Sequence, residues 1–416
     1  MSTIALAFSS LKRSKMKQKK GLITSLFLFG IGLFTTINSL AQEVKITSEM
    51  AIPQDTIRIF EDKIVLNDAT QKYPQFKVGG VFQTRYLDNF KRGVDINGMH
   101  YGDGEGTNNS FEIKRMRVSM NAKVTENLEV VALVNLADFK SDPKTKVLEN
   151  AYAKYTLNRY LQFTVGQFRP LFGMEETYPV DVVKSIDYSN SYYLFGDNGW
   201  TSFQIGAAIT GSVDLGNVPM SYGVSVTNGN GKNKTDNDDG KHYSSRLLFN
   251  VDPKHKINLG ISGGVGEVQR QTIYAVGAEA SAFFSLGHRW SIDFQIEAKQ
   301  GVNHQMYFTQ PVEQRIGDMK DYLMKSFYIL PNIRYELGMN KLQAIEFACR
   351  YEYLDGSAHV NSNARQTWVP MVSVEFLKNY GARLQLGMQI DNFKTSVEHT
   401  KSYNSNLAFL QFQCRL

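Results

Sequence analysis

From Phe76 to Leu416 the chain alternates apolar and polar positions with a period of two, in short segments closed off by turn residues. That is the pattern of β-strands with one apolar face. In one segment Trp290, Ile292, Phe294, Ile296 and Ala298 share a face, and Ser291, Asp293, Gln295, Glu297 and Lys299 share the other. Leu384, Leu386, Met388 and Ile390 alternate in the same way with Arg383, Gln385, Gln389 and Asp391. So do Met116, Val118, Met120, Ala122 and Val124 with Arg115, Arg117, Ser119, Asn121 and Lys123. Many segments run to about nine residues or more, the length a tilted strand needs to cross a bilayer. Strands of soluble sandwiches usually stop at about five or six. The polar faces are densely charged, which suits a wet interior better than the outside of a sandwich.

About sixteen such segments follow Phe76, within the even-numbered range of transmembrane β-barrels. Their connections alternate in length. Thr125–Asn127, Asp214–Asn217, Asp252–Lys256, Leu286–His288 and Gly338–Lys341 are tight, whereas Lys91–Asn109, Gln167–Gly199, Asn228–Lys241, Gly301–Lys325 and Asp355–Thr367 are long. Short periplasmic turns and long external loops are expected of an outer-membrane barrel. Leu410, Phe412, Cys414 and Leu416 alternate with Gln411, Gln413 and Arg415 to the last residue, so a final strand is expected to pair with the first. Such chains commonly end in Phe, and Leu416 departs from that. A soluble all-β fold is the competing reading and explains neither the strand lengths nor the loop asymmetry. The expected fold class is therefore all-β, a transmembrane antiparallel barrel over residues 76–416.

The N-terminal region is of another kind. Lys17, Lys19 and Lys20 precede an apolar run from Gly21 to Leu40, and small residues stand at Ser39 and Ala41 before Gln42. A cationic start, an apolar middle and small residues at −3 and −1 make a secretory signal peptide over residues 1–41. A single membrane anchor is the alternative. Met16 offers a second start, so residues 1–15 are read as an upstream extension. Residues 42–75 are polar, with little period, and are read as a periplasmic arm. The leader also accounts for the charge. The net +6 comes from 46 basic and 40 acidic residues, and six of the basic ones lie within residues 1–42, which hold no acid. The body is balanced, which disfavours a nucleic-acid-binding protein.

Chemistry-bearing motifs are absent. The seven histidines are scattered, with no His-Glu-x-x-His, and Cys349 and Cys414 fall on apolar strand faces as small lipid-facing hydrophobes. No catalytic residue, metal site or cofactor is expected. Gly260–Gly266 and Gly229-Asn230-Gly231-Lys232 are not followed by a helix, so neither reads as a phosphate loop; the first reads as a hairpin turn. Asp236-Asn237-Asp238-Asp239-Gly240 shares part of a calcium-loop pattern without the downstream glutamate, leaving a solvated external loop or a divalent-ion site. Tyr155, Tyr160, Tyr222, Tyr243, Tyr353 and Phe409 are candidates for interfacial girdles.

Several blocks, in this order, resemble the phosphate-selective porin O and P family of Gram-negative outer membranes: Phe111–Val118, Gly166–Glu175, Thr227–Gly231 with its Asp-rich loop, Tyr243–Leu247 and Ala348–Tyr353. The resemblance runs from about Phe76 to Leu416. It implies a sixteen-stranded barrel in the outer membrane, usually a homo-trimer in contact with lipid. The third loop is expected to fold inward and cations to line the pore, giving passive diffusion of small hydrophilic solutes or anions, phosphate included. The pore-lining candidates are Arg85, Arg115, Arg117, Lys123, Lys154, Arg169, Arg246, Arg350 and Arg383, with Arg334 beside them. They are interleaved with Asp293, Glu297, Glu346, Glu352, Glu375 and Asp391, so paired charges stiffening a wet wall are the competing reading. The third-loop candidate, Gln167–Gly199, is itself net acidic, with Arg169 and Lys184 against Glu175, Glu176, Asp181, Asp187 and Asp197. A non-conducting barrel serving as adhesin or assembly platform is the alternative function, expected to show a lumen full of bulky apolar side chains. An outer-membrane hydrolase lacks any nucleophile constellation.

Overall fold

A computed structural model of the protein describes residues 72–102, 106–339 and 341–416. The leader and the arm as far as residue 71 lie outside the described residues. Sixteen antiparallel strands form a closed barrel in which each pairs with its neighbours in sequence. The first half holds β1 (Gln75–Asn89), β2 (Asn109–Lys123), β3 (Leu128–Asn135), β4 (Leu148–Asn158), β5 (Leu161–Phe168), β6 (Gln204–Leu215), β7 (Val218–Thr227) and β8 (His242–Asp252). The second holds β9 (Ile257–Val268), β10 (Gln271–Ser285), β11 (Trp290–Val302), β12 (Leu323–Glu336), β13 (Ala344–Asp355), β14 (Arg365–Leu377), β15 (Ala382–Phe393) and β16 (Ser405–Arg415). β16 closes onto β1 with Gln83 opposite Gln413 and Arg85 opposite Gln411. The Gln83 amide donates to Gln413 Oε1 at 2.7 Å across that seam. Closure satisfies every strand edge, as hydrocarbon demands.

Two-residue alternation turns one face of each strand outward. Phe111 and Val78 are 80% and 71% exposed, and Val165, Leu386 and Phe294 lie on the same outer surface. Such a continuous apolar exterior is stable only against lipid.

The connections at the end that carries both chain ends are mostly tight, from two residues at 159–160 and 216–217 to seven at 337–343. At the opposite end residues 90–108, 136–147, 169–203, 228–241, 303–322, 356–364 and 394–404 form longer loops. One connection breaks the rule. β9 and β10 are joined by Gln269-Arg270 alone, at φ 47° and 66°, the paired left-handed conformation of a type I′ hairpin. The glycine run Gly260–Gly266, expected as a hairpin turn, lies inside β9 instead. Its glycines make room. A Cβ on Gly264 would stand 2.4 Å from the Trp200 ring, and one on Gly260 2.6 Å from the Glu279 side chain.

The interior also differs from the wet, densely charged one expected. Phe409, assigned to a girdle, points inward and is 2% exposed. It packs with Leu87, Tyr328, Leu330, Ala348, Val369, Met371 and Ile186. A second cluster joins Val81 and Tyr380 to Met174, Tyr178, Val180, Val182, Val183, Tyr188 and Tyr192. A third gathers Phe172, Phe195 and Trp200 with Ile273, Ala275, Val302, Met319 and Met324. Each cluster contains residues of the 169–203 loop, so wall positions that would be wet in an empty barrel are dry here.

Candidate functional site

The 169–203 loop leaves β5 and returns in β6, yet its hydrogen bonds reach inward-facing side chains on much of the barrel. The Gly173 amide donates to Ser262 Oγ on β9 at 3.0 Å, and the Met174 amide to Glu297 Oε1 on β11 at 2.7 Å. Lys184 Nζ lies 2.7 Å from Asp293 Oδ2 on β11. The helix Asn190–Asp197 begins on Glu352 of β13, whose carboxylate accepts the Asn190 and Ser191 amides at 3.0 and 2.7 Å. Backbone carbonyls are gripped as well. Arg350 donates to Asp187 O at 2.7 Å, Arg383 to Val183 O at 2.9 Å, and Gln413 to Asp181 O at 2.9 Å. Arg415, near the end of β16, pairs with the Asp181 carboxylate.

The candidate cations therefore divide. Arg115, Arg350 and Arg383 hold the loop. Arg169 sits in it, its Nη1 donating to Tyr178 O at 3.0 Å and its guanidinium lying 5.1 Å from the Tyr188 ring and 5.0 Å from the Phe203 ring. Arg85 pairs with Glu112, Arg117 with Glu149 at 2.6 Å, Lys154 with Glu129 at 3.3 Å, and Arg246 with Glu279 through Nε and Oε2 at 3.1 Å. Arg334 reaches Glu336 at 2.6 Å and Glu346 at 3.2 Å. For these, wall pairing is the observed geometry. Lys123 is exposed at the periplasmic end of β2.

Alternation alone could not place every lumen residue. The β1–β2 register slips between Gln83 and Thr84, with Gln83 opposite Arg115 and Thr84 opposite Ile113. Lys114 is the extra residue of this bulge, and bulges re-aim side chains. By parity with Met116 it belongs outside; instead its Nζ lies 3.4 Å from Asp187 Oδ2, next to Arg115 Nη2 at 2.7 Å from Oδ1. Lys232, from the 228–241 loop, joins the same side, 3.7 Å from Asp138 and 3.8 Å from Glu149. Neither lysine carries a signal in sequence, because one depends on a register slip and the other on a loop path.

The loop root is acid-rich and dry. Glu175 Oε1 accepts the Ser189 amide at 2.8 Å and Glu176 Oε1 the Ser202 amide at 2.7 Å. Among the described residues no partner reaches Glu176 Oε2. Burial pushes the Glu176 carboxyl up to about 8, against the pull of Arg169. Burial also raises Glu175, which Lys299 opposes and Glu297 assists. Asp187 behaves oppositely: burial would raise it, but Arg115, Lys114 and Arg85 hold it well below the usual carboxylate range.

Among the described residues no group of three or more metal-binding side chains comes together. In the Asp-rich loop Asp236 pairs with Lys241, while Asp238 accepts the Gly240 and Gln269 amides at 3.0 and 2.8 Å. Those carboxylates close the loop on itself and on the β9–β10 hairpin. Cys349 and Cys414 are both free thiols.

Residues 89–281 match the family model described as phosphate-selective porin O and P. No curated protein matches the chain. The crystal structure of the outer membrane channel DcaP of Acinetobacter baumannii is similar at TM-score 0.52 and 13% identity, covering 84% of this chain and 99% of that one. The trimer form of OmpT, an outer membrane protein of Vibrio cholerae, aligns at TM-score 0.49 and 12% identity over 83% of this chain and 100% of that one. At that identity the DcaP likeness speaks for the fold alone, and it is the fold described above. With a family match over residues 89–281, somewhat under half of the sequence, and a closed sixteen-strand barrel, the chain is a barrel of the Gram-negative outer membrane that is similar to the phosphate-selective porin O and P family.

Proposed function

We propose that this outer-membrane channel passes small hydrophilic solutes by diffusion, with a modest preference for anions. The observation behind the preference is the strip where β1, β2 and β4 meet the loop. Arg85, Lys114, Arg115, Arg117 and Lys232 there face Glu112, Asp187, Glu149 and Asp138, one more cation than carboxylates. On the β12–β16 side the loop is tied to the wall by Arg350, Glu352, Arg383 and Gln413 and packed on an apolar cluster, so the charged strip is the path this reading assigns to water and ions. A permeating ion responds to local charge in a narrowed, less polarisable lumen and not to the balanced charge of the whole chain. No step of chemistry is required, and a homo-trimer is the assembly the family resemblance suggests.

The test is the reversal potential of single channels in unequal KCl. Wild type is expected to prefer chloride modestly, and Arg115→Ala with Arg117→Ala to shift toward potassium, more so at low salt, where screening is weaker. An unmoved reversal potential, with lowered thermal stability, would make these arginines wall braces and the pore unselective. The buried apolar clusters favour a second reading, a barrel held shut by its loop. Absence of any unitary conductance in planar bilayers would establish that reading.

A further inference from the structure

Asp187 is the loop residue on which the donors of the charged strip converge. Its Oδ1 accepts from Arg115 Nη2 at 2.7 Å, from the Tyr193 hydroxyl at 2.7 Å and from the Tyr188 amide at 2.9 Å. Lys114 Nζ lies 3.4 Å from Oδ2. An ammonium, a guanidinium and a phenol offer more protons than one carboxylate can take up. The Lys114 side chain is 30% exposed and Tyr193 43%, while Arg115 is nearly enclosed. Lys114 and Tyr193 can therefore be approached by a solute, and Arg115 is reached past them.

The backbone here has anchors besides that carboxylate. Arg350 holds the carbonyls of Asp187 and Tyr188 at 2.7 and 3.3 Å, Glu175 holds the Ser189 amide, and Glu352 holds Asn190 and Ser191. With these anchors the loop can stay in place when the Asp187 side chain swings away and gives up its bonds to Arg115 and the Tyr188 amide.

We infer that Lys114, Arg115 and Tyr193 form a carboxylate-binding site in which Asp187 is a tethered occupant, so that a carboxylate-bearing solute must compete with it to enter. The inference rests on the anion-preferring reading and names a solute class for it. Its chemistry follows from the occupant, since the donors are already arranged around an alkyl carboxylate. Its use follows from conduction: a pore site must bind well enough to admit a solute and weakly enough to release it. A built-in competitor of the same charge keeps the solute's residence short.

The experiment is block of single-channel chloride current by succinate, with inorganic phosphate as comparison. In Asp187→Asn the half-blocking succinate concentration is expected to fall at least ten-fold, with a smaller fall for phosphate. Asp187→Glu, which keeps the competing charge, is expected to stay within about two-fold of wild type. An unchanged succinate block in Asp187→Asn, or a phosphate gain equal to or larger than that of succinate, overturns the assignment. If Asp187→Asn does not assemble, Lys114→Gln takes its place and should raise the half-blocking concentration several-fold; no rise overturns it equally. The wild-type reversal potential keeps the two failures apart. A chloride-preferring channel whose succinate block ignores residue 187 sinks this inference alone, whereas a potassium-preferring channel sinks the underlying reading and the inference together.

Discussion

Trp200 of the inward-reaching loop lies flat on the imidazole of His242 at the start of β8, ring centroids 4.6 Å apart and planes 28° from parallel. The indole has room because the β9 residue opposite Ser244 is Gly264, where a Cβ would come within 2.4 Å of it. The returning end of the loop is thus seated by an absence of side chain. Gly264→Val is expected to expel Trp200, at about 1–3 kcal/mol in the manner of overpacked cores. Thermal melts should fall and channel noise rise as the loop loosens. An unchanged melt would mean that the indole has another resting place.

Loop anchoring should depend on pH through Glu176. Its carboxyl is raised from 4.5 to about 8, chiefly by burial. Between those values the folded protein holds a proton that the unfolded chain has lost, so stability falls as pH rises through that window and levels off above it. Glu176→Gln should flatten this dependence in melts taken from pH 5 to pH 9. A variant as pH-sensitive as wild type would place the titration elsewhere.

The two faces of β11 should respond oppositely to charge. Phe294 points to lipid, and Phe294→Arg is expected to cost about 2–4 kcal/mol if it lies near the midplane, because the guanidinium must lose water or distort the bilayer. Gln295→Arg, on the inner face, should fold at nearly wild-type yield. Refolding titrations in lipid vesicles read both, and equal losses would mean a dry interior at that height.

Arg383 is buried and spans from β15 to the loop carbonyl of Val183, with Nε and Nη1 lacking hydrogen-bond partners among the described residues. Arg383→Met removes the anchor but also a partly unsatisfied buried charge. The expected result is a small change in melting temperature with a clear rise in conductance. A large stability loss with unaltered conductance would make Arg383 a wall brace only.

The expected export signal makes a prediction independent of the barrel. Intact-mass measurement of protein from outer membranes should find the chain beginning at Gln42, after Ala41. Retention of residues 21–41 would replace the cleaved leader with an anchor.

What the sequence determined by itself was everything that follows from a period of two: the strands, their sixteen-fold count, the apolar exterior, and the inward parity of Arg115, Arg117, Arg246, Arg350 and Arg383. Those properties are local, since each residue's face is set by its neighbours one position away. The tertiary structure alone decided which charges are engaged and with what. Lys114 points inward because β1 and β2 slip by one residue, a property of two strands together. Gly264 and Gly260 read as a turn because glycine is ambiguous until a bulky partner, Trp200 or Glu279, arrives from elsewhere in the chain. Phe409 reads as a girdle residue and is instead covered from within, because the 169–203 loop brings Ile186 to its cluster. The loop's path is set by contacts between residues more than a hundred positions apart, such as Met174 with Glu297 and Asp181 with Arg415, and no pattern along the chain encodes which distant wall a loop will touch.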